Sequence, residues 1–253
     1  MTFSIIARCE RSGAFGAAIT TSDLAVGARC VRLSHGRGAV LSQHRTDSRL
    51  GDLGIARIDL GASADEAVTA ICTSTPDIEW RQIGVLDASG RASVYHGRRM
   101  YSIHTHSVGR NCLALGNILG NGDVTARMAA GFAADPGAPL SARLMHALIA
   151  GRDAGGEVTG TLRSAALRVT AEHGIDECDL RVDISEADAV GDLARLLDAW
   201  GGRGEALRRV ALAPDSVPVS RALFEASIAR IRELDLVNRF PTERHRASWD
   251  IKD

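Results

Sequence analysis

The order in which strand-like and helix-like patterns follow one another constrains the fold of this chain more than any other feature. Residues 2–9 are apolar and β-branched, and a turn at Glu10-Arg11-Ser12-Gly13 separates them from a second such run at 15–21. Residues 24–33 and 38–43 read as two further strands joined by Ser34-His35-Gly36-Arg37, so the first forty-odd residues predict a β-meander. Helical spacing then takes over at 47–60. Ser63-Ala64-Asp65-Glu66 is a capping-box sequence ahead of the apolar positions Ala67, Ala70 and Ile71. Segments 80–87 and 92–96 flank the hairpin signal Ala88-Ser89-Gly90-Arg91, and 112–115 adds a short strand. Helices are expected near 124–134 and 140–150, then strands near 164–170 and 179–182. Strands and helices thus come in blocks. The strict alternation that a parallel sheet needs is missing, and the pattern predicts an α+β layered domain with mostly antiparallel sheets.

The last fifty residues read differently. A helix at 189–200 is expected to break at Gly201-Gly202-Arg203-Gly204, and 214–218 leads into an amphipathic helix at 221–236. We read 1–200 as the main domain and 201–253 as a C-terminal helical appendage that packs on it or on an oligomer partner. The apolar stripe of the 221–236 helix makes a homo-oligomer the expected state.

Composition removes several functions. Lys252 is the only lysine, so a Schiff-base lysine, a P-loop lysine and a Ser-Lys pair are all excluded from the body of the chain. Thirty basic residues against 31 acidic ones, with no basic run, argue against nucleic acid or an anionic membrane surface as partner. Five scattered cysteines (Cys9, Cys30, Cys72, Cys112, Cys178) fit neither a disulfide framework nor a zinc ribbon. The N-terminus lacks the charged and apolar regions of a signal peptide, and the cytoplasm is the expected compartment.

Four places could carry chemistry. Thr2 is small enough for the initiator methionine to be removed, which would expose an α-amine with a reference pKa of about 7.7–8.0. Such an amine can accept the hydroxyl proton and activate the threonine oxygen without any histidine or lysine. The polar run Ser42-Gln43-His44-Arg45-Thr46-Asp47 follows an apolar strand and precedes a helix. Asp47 reads as a helix cap, whereas Gln43 and Arg45 are candidates to contact a substrate carboxylate or amide. Gly116-Asn117-Ile118-Leu119-Gly120-Asn121-Gly122 matches no nucleotide-binding pattern and reads as a tight turn. His104 and His106 share a strand face, with His96 nearby. No carboxylate or cysteine set accompanies them, so no metal site is expected, and His104 reads instead as a pocket-lining residue.

Several segments together resemble one family. They are Thr2-Phe3-Ser4-Ile5-Ile6-Ala7-Arg8, Leu24-Ala25-Val26-Gly27-Ala28-Arg29-Cys30, Gly36-Arg37-Gly38-Ala39-Val40-Leu41-Ser42-Gln43, Thr46-Asp47-Ser48-Arg49-Leu50-Gly51, Gly116-Asn117-Ile118-Leu119, Ser164-Ala165-Ala166-Leu167 and Asp179-Leu180-Arg181-Val182-Asp183. In order and spacing they resemble domain of unknown function 1028, a family regarded as Ntn-hydrolase-like (N-terminal nucleophile). The resemblance runs from Thr2 to about Trp200. It implies a four-layer αββα sandwich with Thr2 as nucleophile at the start of the first strand. It also implies cleavage of an amide C–N bond of a small-molecule substrate through an acyl-enzyme, with no cofactor. Asn117 becomes a candidate oxyanion donor or substrate-binding side chain. Relatives carry a lysine where Ser22 stands here, and Arg29 or Arg8 would have to supply that positive charge. Two other readings remain: a non-catalytic small-molecule-binding or oligomeric accessory protein on the same fold, and a metal-dependent hydrolase built on His96, His104 and His106.

Overall fold

In a computed structural model, residues 1–214 and 220–240 are described, and the chain divides into two compact units, Met1–Leu197 and Asp198–Asp253. Lys252, most of the 214–218 lead-in and the end of the C-terminal appendage lie outside the described residues.

Two antiparallel sheets organise the first unit. In the six-stranded sheet the strands β1 (Thr2–Arg8), β2 (Phe15–Thr21), β7 (His104–Gly109), β8 (Cys112–Asn117), β9 (Ser164–Val169) and β10 (Cys178–Val182) lie in the order β10-β9-β2-β1-β8-β7. In the four-stranded sheet β3 (Val31–Ser34), β4 (Gly38–Gln43), β5 (Gln82–Asp87) and β6 (Ala92–His96) lie in sequence order. The sheets face one another across a core drawn from both, including Ile6, Ile19, Leu113 and Leu115 on one side and Leu41 and Leu86 on the other. Gly84 permits this approach, since a Cβ there would collide with the Leu115 side chain.

Helices cover the outer faces. α2 (Ser48–Asp59) and α3 (Ala64–Ser74) pack on the four-stranded sheet around Val40, Ile58, Ala67, Ile71, Ile83 and Val85. α4 (Val124–Ala133) and α5 (Leu140–Asp153) pack on the six-stranded sheet, where Phe3 meets Gly151. The order is therefore helix pair, sheet, sheet, helix pair, a mixed α+β architecture with both sheets antiparallel. The capping box expected at Ser63 is formed, with Ser63 and Glu66 bonding reciprocally, and Asp47 caps α2 by accepting from the Arg49 N–H.

Three expectations are corrected. The opening strands do not form one meander, because β1 and β2 join one sheet while β3 and β4 join the other. Residues 24–33 are not a strand throughout: α1 (Val26–Cys30) occupies the middle, with Ala25 left-handed at φ 51°. Val26 and Cys30 are spaced i, i+4 and both are buried, so one helical turn hides this short apolar run as well as a strand would. Gly27 lets that turn lie directly on Ala166 of β9. Finally, α6 (Ala189–Leu212) runs through the glycine cluster instead of breaking there. Each glycine costs a helix only about 1 kcal/mol against alanine, and the flanking Leu, Ala and Arg residues are strong helix formers. Gly204 also leaves the room that the Trp200 indole fills. α7 (Arg221–Glu233) and α8 (Leu236–Arg239) follow, with α7 capped by Ser220 and ended by Asp235 at φ 52°.

Candidate active site at the polar end of the two sheets

Strand pairing puts the candidate residues into two rows. Thr2 lies opposite Asn117 of β8, and Asn117 lies opposite His104 of β7. On the other side of β1, Phe3 pairs with Thr20, which brings Thr2 beside Thr21, and Thr21 pairs with Ser164. One row across the end of the six-stranded sheet is therefore His104, Asn117, Thr2, Thr21 and Ser164. In the four-stranded sheet, Gln43, Gln82 and His96 form the corresponding row.

The side chains that meet between the sheets change character towards this end. On β1 the inward face reads Ile6, Ser4, Thr2; on β8 it reads Leu113, Leu115, Asn117; on β4 it reads Ala39, Leu41, Gln43. Ser4, Gln43, Gln82 and Asn117 are fully buried, and Thr2 is 7 % exposed. Buried amides must find partners or cost about 1–3 kcal/mol each, and here a directed network supplies them. Ser4 Oγ donates to Gln43 Oε1 at 2.8 Å, and Gln43 Nε2 donates to Gln82 Oε1 at 2.6 Å. Asn117 Nδ2 donates to the same Gln82 oxygen at 3.0 Å. Gln82 Nε2 donates to the Gly116 carbonyl at 2.9 Å and to His96 Nδ1 at 3.2 Å. His96 thus accepts through Nδ1, and its Nε2 meets His106 Nδ1 at 3.0 Å. Burial and the two neighbouring histidines push His96 down to about 4, so it is neutral at ordinary pH. With these ring nitrogens facing one another, the histidines share a hydrogen bond. Among the described residues no group of three or more His, Cys, Asp or Glu is arranged to hold a metal.

One buried atom in this network has no partner: Asn117 Oδ1, directly beside Thr2 in the sheet. Backbone strain collects at the same place. Gln43 is followed by His44 at φ 53° and Arg45 at φ 48°, and Asn117 is followed by Ile118 at φ 54°. A β-branched residue in the left-handed region is an outlier, and such strain concentrates at ligand-handling sites. His44 is buried, with Nδ1 2.6 Å from the Trp80 carbonyl oxygen, and desolvation lowers its pKa.

Around Thr2 itself, Oγ1 donates to the Met1 carbonyl at 2.5 Å and lies 3.4 Å from Thr21 Oγ1, which donates to that same carbonyl. Beside Thr21, the Ser22 N–H donates to both oxygens of Glu157, at 3.2 and 3.1 Å. Glu157 is 3 % exposed and is held in place by a β-bridge to Leu119, two residues after Asn117. Burial pushes its carboxyl up to about 7, while hydrogen bonds from Ser22 and the charge of the Met1 amino group pull it the other way.

Gln43, Asn117, His104 and Thr2 are therefore brought together, and Arg45 and Arg29 are not. Arg45 is exposed and lies over the Trp80 ring at 4.6 Å, on an open cleft with Thr46, Asp77 and Arg81. Arg29 is tied back to its own loop through the Leu24 carbonyl at 2.7 Å and the Ala25 carbonyl at 3.4 Å. Sequence reasoning missed Glu157, Thr21, Ser4 and Gln82; Ser4 stands in the first of the family-like segments, and the other three stand in no recognisable motif. A cavity of about 270 Å³ lies elsewhere, lined by Gly27, Arg32, Arg168, Asp179 and Arg181 among others, and no hydroxyl or thiol lines it.

One solved structure agrees with this architecture. A crystal structure of a Silicibacter pomeroyi protein that carries the DUF1028 family model is similar at 28 % identity and a TM-score of 0.73, over 79 % of this chain and 85 % of that one. The ancestral β-subunit Anbu from Yersinia bercovieri aligns at 9 % identity and a TM-score of 0.36, over 83 % of this chain and 96 % of that one. A search of curated proteins finds no match. Residues 2–193, which begin at Thr2 and contain both rows of the site, match the model of a family of unknown function, and the chain is a member of that family, DUF1028.

Proposed function

We propose that this protein is an N-terminal-nucleophile amidohydrolase of the Ntn type, with its sheets and helices forming the αββα sandwich of that class and Thr2 as its nucleophile. The observation that carries the reading is the position of Thr2. It stands buried at the start of a central strand, in the row where the inter-sheet layer turns polar.

With Met1 removed, the Thr2 α-amine becomes the base, and both Thr2 and Thr21 lose the carbonyl that now occupies their hydroxyls. Thr2 Oγ1 attacks the substrate carbonyl carbon while its proton passes to the α-amine. The tetrahedral intermediate collapses by breaking the C–N bond, the proton leaves with the amine product, and an ester remains on Oγ1. Water then attacks that ester and gives a proton to the α-amine. The C–O bond breaks, Oγ1 recovers its proton and the acid is released. The second Nδ2 hydrogen of Asn117 is the candidate donor to the developing oxyanion, since the first is engaged by Gln82.

The test is hydrolysis of a panel of small amides by protein whose intact mass shows loss of Met1, with Thr2→Ala as control. Turnover that disappears in Thr2→Ala supports the reading. Turnover that survives in Thr2→Ala, or Met1 retained in every preparation, turns the assignment towards a binding or accessory protein on this fold.

A further inference from the structure

Glu157 is a buried carboxylate bonded to Ser22, the residue that follows Thr21 of the Thr2–Thr21 hydroxyl pair, and no ion pair given for the described residues includes it. Its two oxygens are met by Ser22 alone, through the backbone N–H and the side chain, among the hydrogen bonds described. An ionised carboxylate withdrawn from water is costly unless a positive charge approaches it. The charge that bears on it is the α-amino group of Met1.

Met1 is chemically informative in this position. It is an α-aminoacyl group joined to Thr2 by an amide bond, with its carbonyl oxygen held by the hydroxyls of Thr2 and Thr21, and Ser22, the residue after Thr21, is bonded to Glu157, within reach of the charge of the Met1 amino group. In an acyl-enzyme the substrate's acyl group would be attached to Oγ1 of the same residue, only a few bonds from the Thr2 nitrogen. The volume that Met1 leaves is the volume that such an acyl group enters.

We propose that the acyl half of the substrate is an α-aminoacyl group, with Glu157 receiving its ammonium and Thr21 Oγ1 donating to its carbonyl oxygen. This rests on the amidohydrolase reading above. The substrate class is then an amide of an α-amino acid with a free amino group, and the products are that amino acid and an amine. The atoms balance as in the cycle given, because the ammonium takes no part in bond making or breaking. Glu157 selects the substrate without touching the reacting atoms.

The experiment compares alanine p-nitroanilide with propionyl p-nitroanilide, which differ only in the amino group, on full-length protein verified by mass to begin at Thr2. The expected result is a kcat/KM at least about 30-fold higher for the alanine compound, as for a buried charge pair. Glu157→Gln is expected to bring that ratio within about threefold of unity, chiefly through loss on the alanine compound, whereas Thr21→Val lowers both and leaves the ratio standing. Equal rates for the two compounds in wild type would overturn the inference while leaving the hydrolase reading intact, and this comparison does not depend on any variant folding. A Glu157→Gln loss equal on both compounds would also overturn it, since Glu157 would then serve the Thr2 α-amine rather than the substrate. Failure to cleave either compound, with no acyl group captured on Thr2, would sink both the inference and the hydrolase reading.

Discussion

The two ends of the inter-sheet layer are built from the same strands and the same alternation, yet they are opposites. At one end Ile6, Leu113, Leu41 and Leu86 close into a fully buried apolar core. At the other, Thr2, Asn117, Gln43 and Gln82 occupy the equivalent inward positions two to four residues further along the same strands or their direct partners. The apolar end contributes hydrophobic burial at roughly 25 cal/mol per Å². The polar end gives that up and holds four buried polar side chains through directed hydrogen bonds, with one acceptor left open at Asn117 Oδ1. A strand fixes which face a residue joins. What stands along that face decides whether the position serves stability or chemistry.

Substitutions at the two ends should therefore separate. Thr2→Ala is expected to reduce amide hydrolysis by about 10³-fold or more while moving the thermal midpoint by no more than a few degrees, measured by steady-state kinetics and calorimetry. A comparable activity in the variant would break the comparison at its polar end.

Much of this arrangement could be read from the sequence. The strand runs, the Ser63 capping box and the Asp47 cap follow from local pattern, and Thr2, Gln43, Asn117 and His104 stand at strand ends where rigid scaffolds place site residues. Glu157 could not be read this way. It lies in a glycine-flanked loop, and its burial comes from a bridge to Leu119 and a bond to Ser22 that join distant parts of the chain. The strain at His44 and Ile118 is equally silent, because neither position carries the glycine that usually announces a left-handed residue. Arg29 and Arg45 were attractive as cations near Thr2 or a polar turn. Their guanidinium groups instead serve a loop carbonyl and an indole face.

At the apolar end, Leu113→Ala is expected to cost about 2–5 kcal/mol of stability in denaturant unfolding, because it opens a cavity in a fully packed layer. The kcat/KM of the protein that remains folded should stay within about threefold of wild type, and a much larger loss of activity would show that the two ends are coupled.

The charge at the polar end separates the two ends by pH as well. Glu157 in the folded chain keeps its proton up to about pH 7, well above an ordinary carboxyl. Between those values the folded state binds more protons than the unfolded one, so this group lowers stability as pH rises through the window. Wild type should therefore lose stability relative to Glu157→Gln between pH 5 and pH 8, by up to about 3 kcal/mol. Unfolding curves for the two proteins that stay parallel over that range would contradict the assignment. The smallest effect is expected at Arg29, whose bonds return to its own loop. Arg29→Gln should change kcat/KM by less than about threefold, and a greater loss in kinetic assays would restore it to the site.

The most direct test of the central claim is the intact and peptide mass of untagged protein treated with p-nitrophenyl propionate. Met1 is expected to be absent, and in protein quenched and digested in acid, before the ester is hydrolysed or its acyl group shifts to the free α-amine, a single propionyl group is expected on the peptide beginning at Thr2. Retained Met1, or acylation spread over other residues and unchanged by Thr2→Ala, would contradict Thr2 as the nucleophile of this fold.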